Sequence, residues 1–228
     1  NIERKNMERG MSMMKSSVKK IGALVAAAVM VCAIFVGCGS SKYDTSTPDG
    51  ALMTQLDALK TGDFSQLEGY SKEAIEETGF TEAQLKDLMT SLFGKSTYTA
   101  QNVETVSDTE AKVTVSGKAV DMSKFIPIVS TEFLAKATEF ATKNDTTNMT
   151  AEEAQKQVMA LFIDAAKAKK SSIELKDVTV TVTMEKKDGK WDVSSDDDNM
   201  NSLTELLAGS TTEELVESMQ GLFGGSFA

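Results

Sequence analysis

The stretch DVTVTVTMEKKDGKWDV, residues 177–193, decides the fold of this 228-residue chain. Four apolar residues alternate with threonines before its turn, and this period of two predicts a β-strand with one buried face. Asp188-Gly189 supplies the positive backbone φ angles that a two-residue hairpin turn needs. The residues after the turn alternate again. The stretch therefore predicts an antiparallel hairpin, with strands over residues 173–186 and 190–195.

A second hairpin is predicted upstream of the first. Residues 97–106 are rich in β-forming residues, and residues 111–122 alternate in the same way as the long strand. The apolar positions of the first of these strands change phase, which indicates a β-bulge.

Helical patterns surround the two hairpins. A helix from residue 49 is expected to stop at Gly62, and Thr81 and Thr150 each begin a Ser/Thr-x-x-Glu/Gln capping box at a helix start. Further helices are predicted over residues 71–78, 123–143, 151–170, 202–208 and 212–223, the last packing onto the domain. The order ααα-ββ-αα-ββ-αα predicts an α+β fold with a curved, four-stranded antiparallel sheet and helices packed on one face.

The N-terminal region has the composition of an export signal. Lys15, Lys19 and Lys20 precede an uncharged apolar run of 16 residues from Ile21 to Val36. The run ends in Phe35-Val36-Gly37-Cys38, which resembles the lipobox of bacterial lipoproteins. A retained transmembrane helix is the main alternative, although it needs about 20 apolar residues. A buried helix is a third reading.

The lipobox resemblance implies a particular organisation. Residues 1–37 would be a signal peptide, with residues 1–13 as an upstream extension, and Cys38 would carry diacylglycerol. Residues 38–48, rich in Gly, Ser and Thr, are expected to form a flexible tether, and residues 49–228 one domain. The protein would then sit on the extracytoplasmic face of the cell membrane, with the lipid on Cys38 as its membrane contact.

The composition argues against disulfides, against a nucleic-acid partner and against histidine-based chemistry. Cys32 would leave with the signal peptide, so Cys38 would be the only cysteine kept, without disulfides. Residues 38–228 carry 32 acidic and 18 basic side chains, so nucleic acid is not expected as a partner. The chain has no histidine, which removes the commonest general base and transition-metal ligand. No cofactor is predicted.

The opening helices, the long alternating strand and the segment Lys187-Asp188-Gly189-Lys190-Trp191-Asp192-Val193 together resemble the NTF2-like (cystatin-like α+β) family. The resemblance implies a cone-shaped domain, here with a helical insertion between the hairpins and a helical C-terminal tail. In such folds the sheet and helices enclose a pocket that hosts either ligand binding or catalysis, and the fold alone does not choose between them.

Two aromatic residues are candidate ligand contacts. Trp191 could line the mouth of a pocket, although a core position is the favoured interpretation, and Tyr98 is the second candidate. No spacing singles out a catalytic residue. A pocket carboxylate, if one is used, would come from Asp57, Asp63, Asp121 or Glu132.

A cluster of oxygen-bearing side chains follows the last strand. It comprises Asp192, Asp196, Asp197, Asp198, Asn199 and Asn201. The spacing does not fit a calcium-binding EF-hand, so no metal site is predicted and the cluster is interpreted as a loop that caps the next helix.

Three functions remain open at this point. The first is a non-enzymatic, lipid-anchored binding or accessory module for a small apolar ligand or an envelope protein. The second is an NTF2-like isomerase or dehydratase that uses a pocket carboxylate. The third is the solute-binding lipoprotein of a transporter, which the chain length disfavours because such proteins usually need two lobes.

Overall fold

The computed structural model describes residues 42–63, 81–144 and 149–223. The predicted signal peptide, Cys38 and the helix predicted over residues 71–78 lie outside these ranges. The elements, in chain order, are α1 (Pro48–Thr61), α2 (Glu82–Phe93), β1 (Thr97–Ser107), β2 (Glu110–Val120), α3 (Met122–Lys143), α4 (Ala151–Ala168), a 3-10 turn (Lys170–Ser172), β3 (Leu175–Lys187), β4 (Lys190–Val193), α5 (Asp197–Ala208) and α6 (Thr212–Phe223).

The four strands form one antiparallel sheet in the order β1-β2-β3-β4, which confirms the predicted α+β class. Asp188 and Gly189 both have positive φ, 52° and 80°, as the predicted hairpin turn requires. The register of β1 against β2 shifts after Ala100, where the change of apolar phase predicted a bulge.

One face of the sheet is buried and the other is open. The buried face of β2 and β3 pairs apolar residues across the strands, and their neighbours on the other face are mostly exposed polar residues. The buried residues are Ala111, Val113, Val115, Val178, Val180, Val182 and Met184. The helices therefore cover the sheet from one side, as the alternating pattern predicted.

The ends of α1, α2 and α4 follow their sequence signals. Gly62 ends α1 in the left-handed conformation, with φ of 63°. The side chains of Thr81 and Thr150 each accept a hydrogen bond from the N–H of the third helical residue, and the side-chain oxygen of that residue accepts one from the N–H of the cap. These local patterns therefore fix where the helices begin and end.

Helix α3 begins one residue earlier than predicted, at Met122, with Asp121 as its N-cap. Pro127 is consequently the sixth helical residue, not a residue of the first turn, and it has no N–H to donate to the Ser123 carbonyl oxygen. The hydroxyl of Ser218, on α6, donates to that oxygen at 3.2 Å. The C-terminal helix thus packs on the domain, as predicted, partly by satisfying a carbonyl that the proline frees.

The inserted helices α3 and α4 each bury apolar residues. Phe125 is buried on α3, whereas Ala141 is exposed. On α4 the fully buried positions include Met159 and Ile163, and Phe162 packs edge to face on Phe133 of α3 with ring centroids 6.4 Å apart. Helices α3 and α4 therefore bury apolar residues against each other.

Helix α5 begins at Asp197, five residues before the predicted start. Its N-cap is Asp196, whose carboxylate accepts the N–H of Asn199 at 2.9 Å. Asp196 therefore caps this helix, as the sequence indicated. Asp197 and Asp198, which were predicted to lie in the loop, form the acidic first turn of the helix.

Candidate functional site

Trp191 lies in the core, 7% exposed, on β4. Its indole N–H donates to the carbonyl oxygen of Ser46 at 3.1 Å, and Lys186 Nζ lies 5.5 Å from the ring centroid. Ser46 belongs to the region where the sequence predicted a flexible tether. The structure thus uses the chain's single tryptophan to hold residues that precede the first helix against the sheet.

Tyr98, on the edge strand β1, is partly buried, and its hydroxyl oxygen is inaccessible to solvent. Burial raises the pKa of its hydroxyl to about 12, against a lowering contribution from the hydroxyl of Ser96. Within the described ranges, neither hydroxyl makes a hydrogen bond of normal geometry. The two residues therefore form a small polar spot inside an apolar interior.

The two aromatic candidates do not share a site. Tyr98 is on β1 and Trp191 on β4, the two outer strands of the sheet. Three strand spacings of about 4.8 Å separate them, or roughly 14 Å across the sheet. Helix α1 packs against both strands and so lies between the two side chains.

Asp121 serves as a helix cap. Its side chain is 8% exposed, and Oδ1 accepts hydrogen bonds from the Ser123 hydroxyl at 2.7 Å and the Lys124 N–H at 3.4 Å. Burial opposes its ionisation, but these bonds and the Lys124 ammonium at 3.3 Å outweigh burial and hold the pKa of Asp121 below its ordinary value. A carboxylate held in this way is suited to capping a helix, not to exchanging protons near neutral pH.

The other predicted carboxylates lie on or next to helices. Asp57 faces Lys42 at 3.5 Å, and Glu132 faces Lys169 at 3.1 Å. Asp63 follows the end of α1, where its N–H donates to the Ala58 carbonyl oxygen. These three side chains and Asp121 belong to separate places in the fold, so they do not form a catalytic pair.

Asp192 is a carboxyl that sequence reasoning did not single out for proton chemistry. Its Oδ1 accepts a hydrogen bond from Gln55 Nε2 at 3.2 Å and from the Val193 N–H at 2.8 Å. Burial raises its pKa above the ordinary value, although both hydrogen bonds act in the opposite direction. No local pattern indicates the contact of Asp192 with Gln55, because the two residues are 137 positions apart in the chain.

The predicted oxygen cluster is divided by the structure. Asp196 caps α5, whereas Asp192 faces Gln55 on α1. The buried hydroxyl of Ser194 lies 2.6 Å from Glu185 Oε1 and 2.8 Å from Asp196 Oδ2. In the portion of the chain with described coordinates, no group of three His, Cys, Asp or Glu residues is arranged to hold a metal ion.

Asn199 is a structural polar residue that the sequence did not identify as such. Strand β4 ends at Val193, so the backbone of Thr183 on β3 lacks a strand partner beyond that point. Asn199 Oδ1 accepts the Thr183 N–H at 2.6 Å, and Nδ2 donates to the carbonyl oxygens of Thr183 and Ser194 at 2.9 and 2.7 Å. The side chain thereby takes the place of a strand residue at the sheet edge.

The fold and these contacts define the class: an α+β domain whose antiparallel sheet is covered by helices on one face, with its buried polar side chains engaged mainly in capping and clamping. No helix in the described ranges combines the length and apolar character required to cross a bilayer.

Residues 45–208, more than half of the chain, match the family described as a domain of unknown function (DUF5105). The chain therefore belongs to this family.

A solved structure from Bacillus subtilis subsp. subtilis str. 168, described as that of "a putative lipoprotein (ycdA)", is similar over 70% of this chain. The sequences are 22% identical and the TM-score is 0.43. The match covers 55% of that protein, so this chain spans about half its length. No curated protein matches the chain significantly.

Proposed function

We propose that this protein is an accessory module anchored by a lipid on Cys38 to the extracytoplasmic face of the cell membrane. The observation that carries the proposal is the segment Phe35-Val36-Gly37-Cys38 at the end of an uncharged apolar run. The first helix of the domain begins ten residues after Cys38, at Pro48. A diacylglyceryl group has two chains, which is enough for stable anchoring.

The module binds rather than catalyses. The polar side chains that could have served catalysis have structural partners: Asp121 caps α3, Asp57 and Glu132 face lysines, and Trp191 holds Ser46. A small apolar ligand or an envelope protein is the proposed partner. Helix α1 packs against strands β1, β2 and β4 on the covered face of the sheet, where the NTF2-like resemblance would place a ligand pocket.

Asp192 favours a second candidate, an enzyme that uses a pocket carboxyl as a general acid. Burial raises the pKa of Asp192 and so favours the protonated form that a general acid needs, although the hydrogen bond from Gln55 acts in the opposite direction. A purified protein that turns over a carbonyl or hydroxy-acid substrate, and loses turnover in Asp192→Asn, would favour this candidate over the binding module.

The anchor is tested with a matched pair of cysteine variants, Cys38→Ala and Cys32→Ala. The full chain is produced in bacterial cells fed a clickable fatty acid, and membrane fractions are separated from soluble ones. The wild type and Cys32→Ala should carry the label and remain with the membrane, whereas Cys38→Ala should lose the label. Equal labelling of Cys38→Ala and the wild type would overturn the proposal.

The partner is identified from molecules that remain bound during purification. Mass spectrometry of solvent extracts from the purified full chain should identify a co-purifying apolar molecule if the domain binds one. An envelope protein partner would instead be recovered by cross-linking in intact cells.

A further inference from the structure

The described chain begins in a segment that lies on the domain instead of extending away from it. We call residues 42–47 the docked segment. Lys42 Nζ is 3.5 Å from Asp57 Oδ1 on α1 and 4.6 Å from the centroid of the Tyr43 ring. The Asp44 carbonyl oxygen approaches Gly50 so closely that a Cβ there would lie 1.9 Å from it. The docked segment is therefore packed on α1, and only the residues before it can act as a tether.

Trp191 joins the docked segment to the β3–β4 hairpin. Its indole N–H bonds the Ser46 carbonyl oxygen, and its strand partner on β3 is Lys186, directly before the turn. Ser46 of the docked segment thus lies at the end of β3 that carries the hairpin turn, and the other end of β3 points away from it.

The remaining tether is short. Four residue steps separate Cys38 from Lys42, and a fully extended chain of that length spans about 14 Å. A lipid on Cys38 would therefore keep Lys42 close to the membrane surface, and Ser46, four residues further along, contacts Trp191 of the hairpin. Lys176, near the other end of β3, is eleven positions from Lys187, or about 37 Å along the strand.

The hairpin turn carries a net positive charge, which favours a position close to an anionic membrane surface. Residues 186–190 contain three lysines and one aspartate, in a chain with a formal net charge of −10. The Lys187 side chain is 60% exposed, although its ammonium also lies 3.0 Å from Glu185 Oε2. Lysines near a bilayer are attracted to anionic headgroups. Acidic surfaces of the domain would be repelled by the same headgroups.

We propose that the β3–β4 hairpin rests at the headgroup layer of the membrane, so that Lys186, Lys187 and Lys190 meet anionic lipids and the domain keeps one orientation. This inference rests on the proposed lipid anchor at Cys38. The clamp between Trp191 and Ser46 is the contact that converts a short tether into a defined orientation.

The orientation is tested with two variants matched in residue type, strand and exposure, Lys187→Cys and Lys176→Cys. Each full-length, lipid-modified protein is labelled with a fluorophore and reconstituted into vesicles of phosphatidylcholine with 30% phosphatidylglycerol and a headgroup spin-labelled lipid. Because Cys38 would be acylated and Cys32 removed, the introduced thiol is the labelling site. The label at position 187 should be quenched at least twofold more than the label at position 176.

The outcomes separate the two proposals. Equal quenching at both positions, in protein that floats with the vesicles, would overturn the orientation and leave the anchor intact. Protein that does not float with the vesicles would overturn the anchor itself. Trp191→Phe in the Lys187→Cys background should reduce the difference in quenching, because phenylalanine cannot donate to Ser46. An unchanged difference on purely zwitterionic vesicles would overturn the role of the lysines.

Discussion

Replacing Asn199 by alanine should be among the most damaging single changes to this domain. The side chain is 4% exposed and makes three hydrogen bonds to backbone groups of Thr183 and Ser194. Alanine makes none of them. The Thr183 carbonyl oxygen keeps its bond from the Ser194 N–H, but the Thr183 N–H and the Ser194 carbonyl oxygen each lose a partner.

The expected cost is about 3 kcal/mol. A buried polar group left without a partner costs roughly 1 to 3 kcal/mol, and two groups are affected. Alanine recovers about 0.5 kcal/mol through its better helix propensity. With a urea m value of about 2 kcal/mol/M, the unfolding midpoint should fall by about 1.5 M.

The assay is urea denaturation followed by far-UV circular dichroism, with Asn201→Ala as the matched control. Asn201 lies two residues further along the same helix, is exposed, and accepts one hydrogen bond from the Thr212 hydroxyl at 2.7 Å. Both variants gain the same helix propensity, so their difference isolates burial and bonding. Free energies of unfolding that agree within about 0.5 kcal/mol would refute the reasoning about Asn199.

Three further changes test other parts of the structure. Burial raises the pKa of Asp192 above its ordinary value of 3.8, so its contribution to stability is present below that pH and is lost as the pH rises through the folded-state pKa. Asp192→Asn should therefore become more stable relative to the wild type as the pH rises above 3.8, in urea midpoints measured across pH. Gly117→Ala would place a Cβ 1.8 Å from the Thr97 carbonyl oxygen and should lower the free energy of unfolding by about 2 kcal/mol or more, read from thermal melting. Ser218→Ala removes the hydroxyl that bonds the Ser123 carbonyl oxygen, and should cost about 1 kcal/mol in the same measurement.

Each of these changes has its own check. Asp188→Asn, exposed at the hairpin turn, controls for the loss of one negative charge, and a constant offset of Asp192→Asn at every pH would contradict the burial explanation. Ser202→Ala, which removes an exposed bond within one helix, is the control for Ser218→Ala, and equal costs would contradict a special role for the freed carbonyl. A Gly117→Ala protein with the wild-type melting temperature would mean that β1 and β2 can separate without loss.

Local patterns predicted most of the fold. The hairpin at Asp188-Gly189, the capping boxes at Thr81 and Thr150, and the stop at Gly62 depend on residues within a few positions of each other. Their φ angles and hydrogen bonds involve only residues that are close together in the chain. The predicted start of α5 is five residues too late because residues 197–201 have no apolar periodicity.

The candidate site was harder to predict because its contacts are distant in the chain. Asp192 and Gln55 are 137 positions apart, and Trp191 reaches a carbonyl 145 positions earlier. The role of Asn199 depends on where β4 ends, which no local pattern specifies. Backbone groups left open at a sheet edge become visible only when the strands have been paired.

The sequence by itself determined the alternating strands, their turns and the helix caps, because each depends on neighbouring residues. Tertiary structure alone decided that residues 42–47 pack on the domain, that Trp191 holds Ser46, and that Asp192 has a raised pKa. Burial and hydrogen bonding between distant segments arise only when the chain is folded, since desolvation depends on every element that surrounds a group.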